Sequence, residues 1–228
     1  MEKECKIYVI ISIICISIVI LFCGFLILKN NDKKITDALR FKMEYEALND
    51  KKDATETTYI TVEIPDDNQV VYKNPKEIVE ILKAEKAIVY FGFPSNFVCR
   101  SIIETLLQVA KDKEINKIYY VNIENIRDEF IYDNSLIPKE TKKGTEAYYD
   151  ILEFFGENLE KYYVKDQNGN GFATGERRLG APTIVAIKDG EIKDIFNPEE
   201  DREYLPVDEK QKEEIYNTFV KLVESIHD

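Results

Sequence analysis

The stretch AIVYFGFPSNFVCRSIIETLLQVA, residues 87–110, decides the architecture of this chain. Its first seven residues are an almost unbroken apolar run, the pattern of a strand covered on both faces of a sheet. Pro94 ends that strand, and Ser95 or Asn96 can cap a helix to about Ala110 that places Ile102, Ile103, Leu106, Leu107 and Ala110 on one face. A buried strand leading directly into an amphipathic helix is the unit of an α/β sheet.

Outward from this unit the same alternation continues. Upstream, TYITVEI (58–64) alternates and is β-branched, PDDN (65–68) is turn chemistry, and Asn74-Pro75 opens a helix to about residue 85 with Ile78, Ile81 and Leu82 inward. Downstream, KIYYVNI (117–123) reads as a second buried strand, residues 144–163 as a long helix, and residues 209–226 as a final helix. TIVAIK (183–188) and EIKDIF (191–196) are strands joined by Asp189-Gly190, so that pair is antiparallel, whereas the earlier β-α-β crossovers are expected to be parallel. The predicted order is β-α-β-α-β-α-β-β-α, a mixed sheet flanked by helices.

The chain has 228 residues, 44% hydrophobic and 32% charged, which describes a folded protein. Residues 7–28, IYVIISIICISIVILFCGFLIL, contain no charge. A helix of that length covers about 33 Å, enough to cross a hydrocarbon core of roughly 30 Å. The run is longer than a signal-peptide core and closes on FLILKNNDKK, so the expectation is a retained single-pass anchor. The expected domains are an anchor (1–34), a juxtamembrane helix and linker (35–57) carrying Leu39, Phe41, Tyr45 and Leu48 at helical spacing, and a folded domain (58–228). Lys3 and Lys6 balance Lys29, Lys33 and Lys34 across the span, so charge leaves its orientation open. Beyond residue 34 the chain keeps 26 of its 31 basic and 40 of its 43 acidic residues. A surface this acidic speaks against nucleic acid as a partner.

The segment 89–110, followed at a distance by LGAPTIVAIKDGEI (179–192), resembles the thioredoxin family, and most of all the membrane-anchored or secreted thioredoxin-like proteins of Gram-positive bacteria, including bacteriocin transport accessory proteins. The resemblance covers roughly residues 58–226. It implies a thioredoxin-like fold, a cis Ala181–Pro182 bond, a groove for protein or peptide partners formed by Asn96, Phe97, Val98, Ala181 and Pro182, and a folded domain outside the cell membrane. The binding role of Pro182 stands beside a plainer one, shaping the entry to its strand.

The departure from the family is chemical. Where the family has the first cysteine of C-x-x-C this chain has Asn96, and only the second remains, as Cys99. Dithiol exchange needs one thiolate to attack and a second thiol to resolve. With the attacker absent, oxidoreductase activity is expected to be lost, leaving a binding or accessory protein. Two readings of Cys99 stay open: a catalytic monothiol whose pKa is lowered by the helix dipole, or a small buried side chain. It is the only cysteine beyond residue 34, so an internal disulfide there is excluded.

Other motifs fail on inspection. Asp166-Gln-Asn-Gly-Asn-Gly171 resembles the start of an EF-hand loop, but its twelfth position is Arg177 instead of Glu, so a turn is expected and no metal. Gly169, Gly171 and Gly175 miss the dinucleotide fingerprint by one residue. Arg177-Arg178 is either a carboxylate clamp or a solvated basic pair. His227 is the only histidine, which removes His-based triads and multi-histidine zinc sites. No cofactor is expected.

Overall fold

The computed structural model describes residues 35–84, 86–133, 137–198 and 207–226. The expected membrane span lies outside them. Among the described residues no helix is long and apolar enough to cross a membrane.

Five strands form the central sheet: β1 (Val70–Tyr72), β2 (Lys86–Gly92), β3 (Ile118–Asn122), β8 (Thr183–Lys188) and β9 (Glu191–Phe196), in the order β1-β3-β2-β8-β9. The first three are mutually parallel, β8 runs antiparallel to β2, and β9 folds back on β8. The Asp189-Gly190 turn places both residues at positive φ, 55° and 73°, as a tight hairpin between right-twisted strands requires.

Side-chain alternation along β2 distributes the helices. Ile88 and Tyr90 face one core with α1 (Asp37–Glu46), α3 (Phe97–Asp112) and α5 (Glu209–Glu224). Ala87, Val89 and Phe91 face a second core with α2 (Pro75–Leu82) and α4 (Glu146–Phe155). With both faces covered, β2 and β8 are apolar along almost their whole length. Helix starts follow their caps: Asn74 and Asp208 form capping boxes, and Thr145 caps α4.

The structure corrects two sequence expectations and adds two hairpins. Residues 58–64 are extended and bury Val62 and Ile64 between exposed Thr61 and Glu63, but they join no sheet; the edge strand is the three-residue β1. Alternation reports a half-buried extended chain and leaves its pairing open. The helix expected over 144–163 ends at Phe155, because Gly156 adopts φ 52° and donates its N–H to the Leu152 carbonyl. Its remaining residues enter a hairpin of β6 (Lys161–Lys165) and β7 (Gly171–Arg177), and a second hairpin joins β4 (Glu129–Ile131) to β5 (Lys139–Lys142). These hairpins pack through Phe130 on Tyr162 and Tyr132 stacked on Phe172 at 4.0 Å. The short helix expected at the start of residues 35–57 is present as α1, Asp37–Glu46, and Phe41 and Tyr45 anchor it in the core.

Candidate functional site

The parallel strands β2 and β3 end at the same edge of the sheet, where α/β folds build their sites. From β2 the chain turns through Phe93 and Pro94, with the Asn96 N–H donating to the Phe93 carbonyl at 3.2 Å. Asn96 then caps α3: its Oδ1 accepts from the Cys99 N–H at 2.8 Å. The Asn96 amide therefore serves the helix end, as its chemistry predicts. Ser95 donates to Glu124, tying this loop to the end of β3.

The register pairing Phe91 with Thr183 brings the loop before β8 alongside Gly92 and Phe93. In that loop Ala181–Pro182 is cis. Thr183 donates to the Gly180 carbonyl at 2.9 Å, and Asn197 Oδ1 lies 3.1 Å from the same hydroxyl. A Cβ at Gly180 would come within 2.6 Å of Asn197 Oδ1 and would push that side chain away from the Thr183 hydroxyl. Gly92 is required, because its Cβ would meet the hydroxyl and ring of the buried Tyr90 at 2.5–2.7 Å. Asn96, Phe97 and Ala181 are half-buried, whereas Val98 and Pro182 are buried.

Cys99 is fully buried, at 0% exposure. Burial pushes its thiol from 9.0 up to about 11, outweighing hydrogen bonding from the neighbouring Tyr90 hydroxyl. Of the two readings of Cys99, its burial agrees with the small buried side chain, because desolvation penalises a thiolate here more than the partial positive charge of a helix end favours it. Around the thiol the Tyr45 and Tyr90 hydroxyls lie 2.6 Å apart, and burial raises both phenols far above their ordinary range.

Arg100 and Tyr59 were not singled out in the sequence. Arg100 is 1% exposed and donates to the carbonyls of Ile60 (2.6 Å), Tyr45 (2.8 Å) and Pro94 (3.3 Å) and to Asn49 Oδ1 (2.6 Å). Tyr59 stacks on Phe97, with ring centroids 5.1 Å apart. A signal for Arg100 existed, because residues 100, 103 and 107 share one helix face and the other two are apolar.

On the other side of the loop, the Arg127 guanidinium lies 4.9 Å over the Phe93 ring. Next to it Asp128, 1% exposed, faces Arg178 at 3.6 Å. Burial raises the Asp128 carboxyl, and the Arg178 charge only partly offsets that. Arg178 also lies over the Tyr162 ring, and Arg177 donates to the Leu159 carbonyl, so the solvated basic pair is corrected: both guanidinium groups hold the hairpins. Asp166 accepts from the N–H groups of Asn168 and Asn170 at 2.8 Å each, forming the expected turn between β6 and β7.

The arrangement places a buried thiol, an amide cap and a cis-proline loop at one edge of the sheet. Comparison of the chain with known protein families, with curated proteins and with solved structures finds no match.

Proposed function

We propose that this protein is a membrane-anchored, thioredoxin-like binding or accessory protein that has lost the dithiol centre and engages protein or peptide partners at Asn96, Phe97, Val98, Ala181 and Pro182. The strand order β1-β3-β2-β8-β9, the antiparallel β8–β9 hairpin, the helix beginning after Asn96 and the cis Ala181–Pro182 bond all support the thioredoxin-like reading. The uncharged run 7–28 supports an anchor, and the resemblance to extracytoplasmic proteins favours an outward-facing domain.

The observation that carries the functional reading is the state of Cys99. A thiol with 0% exposure and a pKa near 11 is almost entirely protonated at neutral pH, and Asn96 can neither attack nor form a disulfide. The rival, a monothiol redox protein acting through Cys99, needs a sulfur that solvent reaches. A cis-proline loop, by contrast, offers backbone groups to an extended chain without any cysteine.

Purified full-length protein is expected not to accelerate reduction of insulin disulfides by dithiothreitol. Pull-downs from cells are expected to give the same partner from wild type and Cys99→Ser, and to lose it with substitutions at Phe97 or Ala181. Insulin turnover by the wild type, or a partner retained only through Cys99, would replace the binding reading by the redox one.

A further inference from the structure

We infer that Asn168 is a site of spontaneous covalent modification: its side-chain amide is lost to attack by the Gly169 backbone nitrogen, leaving aspartate or isoaspartate in the turn between β6 and β7. The reaction needs no partner, metal or enzyme. It belongs to the stretch Asp166-Gln-Asn-Gly-Asn-Gly171, which holds both Asn-Gly pairs of the chain, 168–169 and 170–171.

The residue after an asparagine sets the chemistry. A backbone nitrogen that has given its proton to a solvent base attacks the Cγ of the preceding Asn. The new N–C bond closes a five-membered imide, the Cγ–Nδ2 bond breaks, and the amide nitrogen leaves as ammonia. Water then opens the imide at one carbonyl or the other, giving aspartate or isoaspartate, with no oxidant or reductant involved. A Cβ on the attacking residue crowds this approach, so glycine is the most permissive successor. Gly169 has open surroundings as well: its φ is 84°, and a Cβ built there would meet nothing within 4 Å. Gln167, Asn168, Gly169 and Asn170 are exposed, so water and base reach the turn.

The two pairs are alike in sequence and unlike in structure. Asn170 is clamped: its Nδ2 donates to Asp166 Oδ2 at 2.9 Å and its N–H to Oδ1 of the same carboxylate at 2.8 Å. Gly171, whose nitrogen would attack it, opens β7 in register with Lys165. Asn168 is held through its backbone, by its N–H to Asp166 Oδ1 at 2.8 Å, and among the described residues its side-chain amide has no hydrogen-bond partner. The Gly169 N–H donates to the Asp166 carbonyl at 3.1 Å, a single turn bond at an exposed hairpin tip, where opening costs far less than global unfolding. Asp166 therefore protects one amide and leaves the other open to attack. The product sets a second carboxylate two residues from Asp166, and its isoaspartate form adds one carbon to the main chain of a turn whose ends are fixed by the β6–β7 register.

The test keeps the full-length chain in detergent in mildly alkaline buffer and follows both amides over time by peptide mapping with mass spectrometry, isoaspartate being read by enzymatic methylation of its carboxyl group. In the folded chain Asn168 is expected to deamidate severalfold faster than Asn170. In a urea-unfolded sample the two are expected to react at similar rates, because the clamp is gone. Asp166→Ala is expected to bring Asn170 up toward the rate of Asn168, since it removes the carboxylate that holds the Asn170 amide. Equal rates in the folded wild type, or a folded Asn168 that stays intact while the unfolded one reacts, would overturn the inference. A difference that persists unchanged in urea would remove the clamp from it. If Asp166→Ala disturbs the hairpin, the folded and unfolded rates of the wild type decide alone.

Discussion

Arg100, which is buried, and Arg178, which is half-buried, sit on opposite sides of the loop that follows β2, and they are satisfied differently. Arg100 donates to three carbonyls and an amide oxygen at 2.6–3.3 Å, uniting α1, residues 58–64 and α3. Arg178 faces a buried carboxylate, Asp128, but at 3.6 Å, and its Nη1, the Asp128 Oδ1 and the nearby Tyr148 hydroxyl reach no hydrogen-bond partner. A buried charge is stabilised by the number and geometry of its hydrogen bonds more than by the sign of its neighbour. The neutral cage around Arg100 should therefore matter more to the fold than the ion pair around Arg178.

The largest expected effect is on the cage. Arg100→Leu removes the side-chain donor from the carbonyl of Ile60 and one donor each from the Tyr45 carbonyl and the Asn49 amide oxygen, and should cost about 3–5 kcal/mol in denaturant unfolding. A cost below about 1 kcal/mol would put the two arginines on an equal footing.

Next comes the thiol that the cage shelters. Its folded value is raised from 9.0 to about 11, so its contribution is fully present below pH 9 and is lost as pH rises through 11. Between those values wild type should lose about 2–3 kcal/mol more than Cys99→Ala, after the lower starting stability of the variant is subtracted. Parallel pH profiles would contradict the burial argument.

The ion pair should matter least to stability, or in the opposite direction. Replacing both members, Asp128→Leu with Arg178→Met, is expected to leave stability unchanged or raise it by about 1–2 kcal/mol. Burial raises the Asp128 carboxyl above its ordinary 3.8, so its contribution is present below that value and lost as pH rises through the folded value. In that window wild type should gain stability relative to Asp128→Asn as pH falls; a gain on raising pH instead would show a well-satisfied carboxylate.

The smallest effect belongs to the cap at the site itself. Asn96→Ala should cost about 1 kcal/mol, and Asn96→Asp should restore it, since aspartate also accepts the Cys99 N–H and carries charge favourable at a helix start. If both substitutions are neutral, Asn96 is not held in the structure for its capping bond.

Much of this was legible in residues 87–110 and 183–196. The buried strand, the cap at Asn96, the apolar face of α3 and the Asp189-Gly190 hairpin depend on periodicity and turn chemistry within a few residues of each other. Gly156 was a legible stop for α4 that the apolar pattern of residues 144–163 concealed. The short hairpins carried weaker signals, with strands of three to seven residues whose inner faces are only half-buried.

By itself the sequence determined the mixed α/β class, the helix start at Asn96 and the absence of a second thiol beside Cys99, because each is a matter of local pattern or residue identity. Tertiary structure alone decided that residues 58–64 lie along α3 instead of in the sheet, that Arg100 is a buried hub, and that Cys99 is buried, which raises its thiol pKa. Those outcomes depend on which groups from distant parts of the chain supply hydrogen bonds and exclude water, and burial is a property of the assembled fold, set by long-range packing that no window of residues contains.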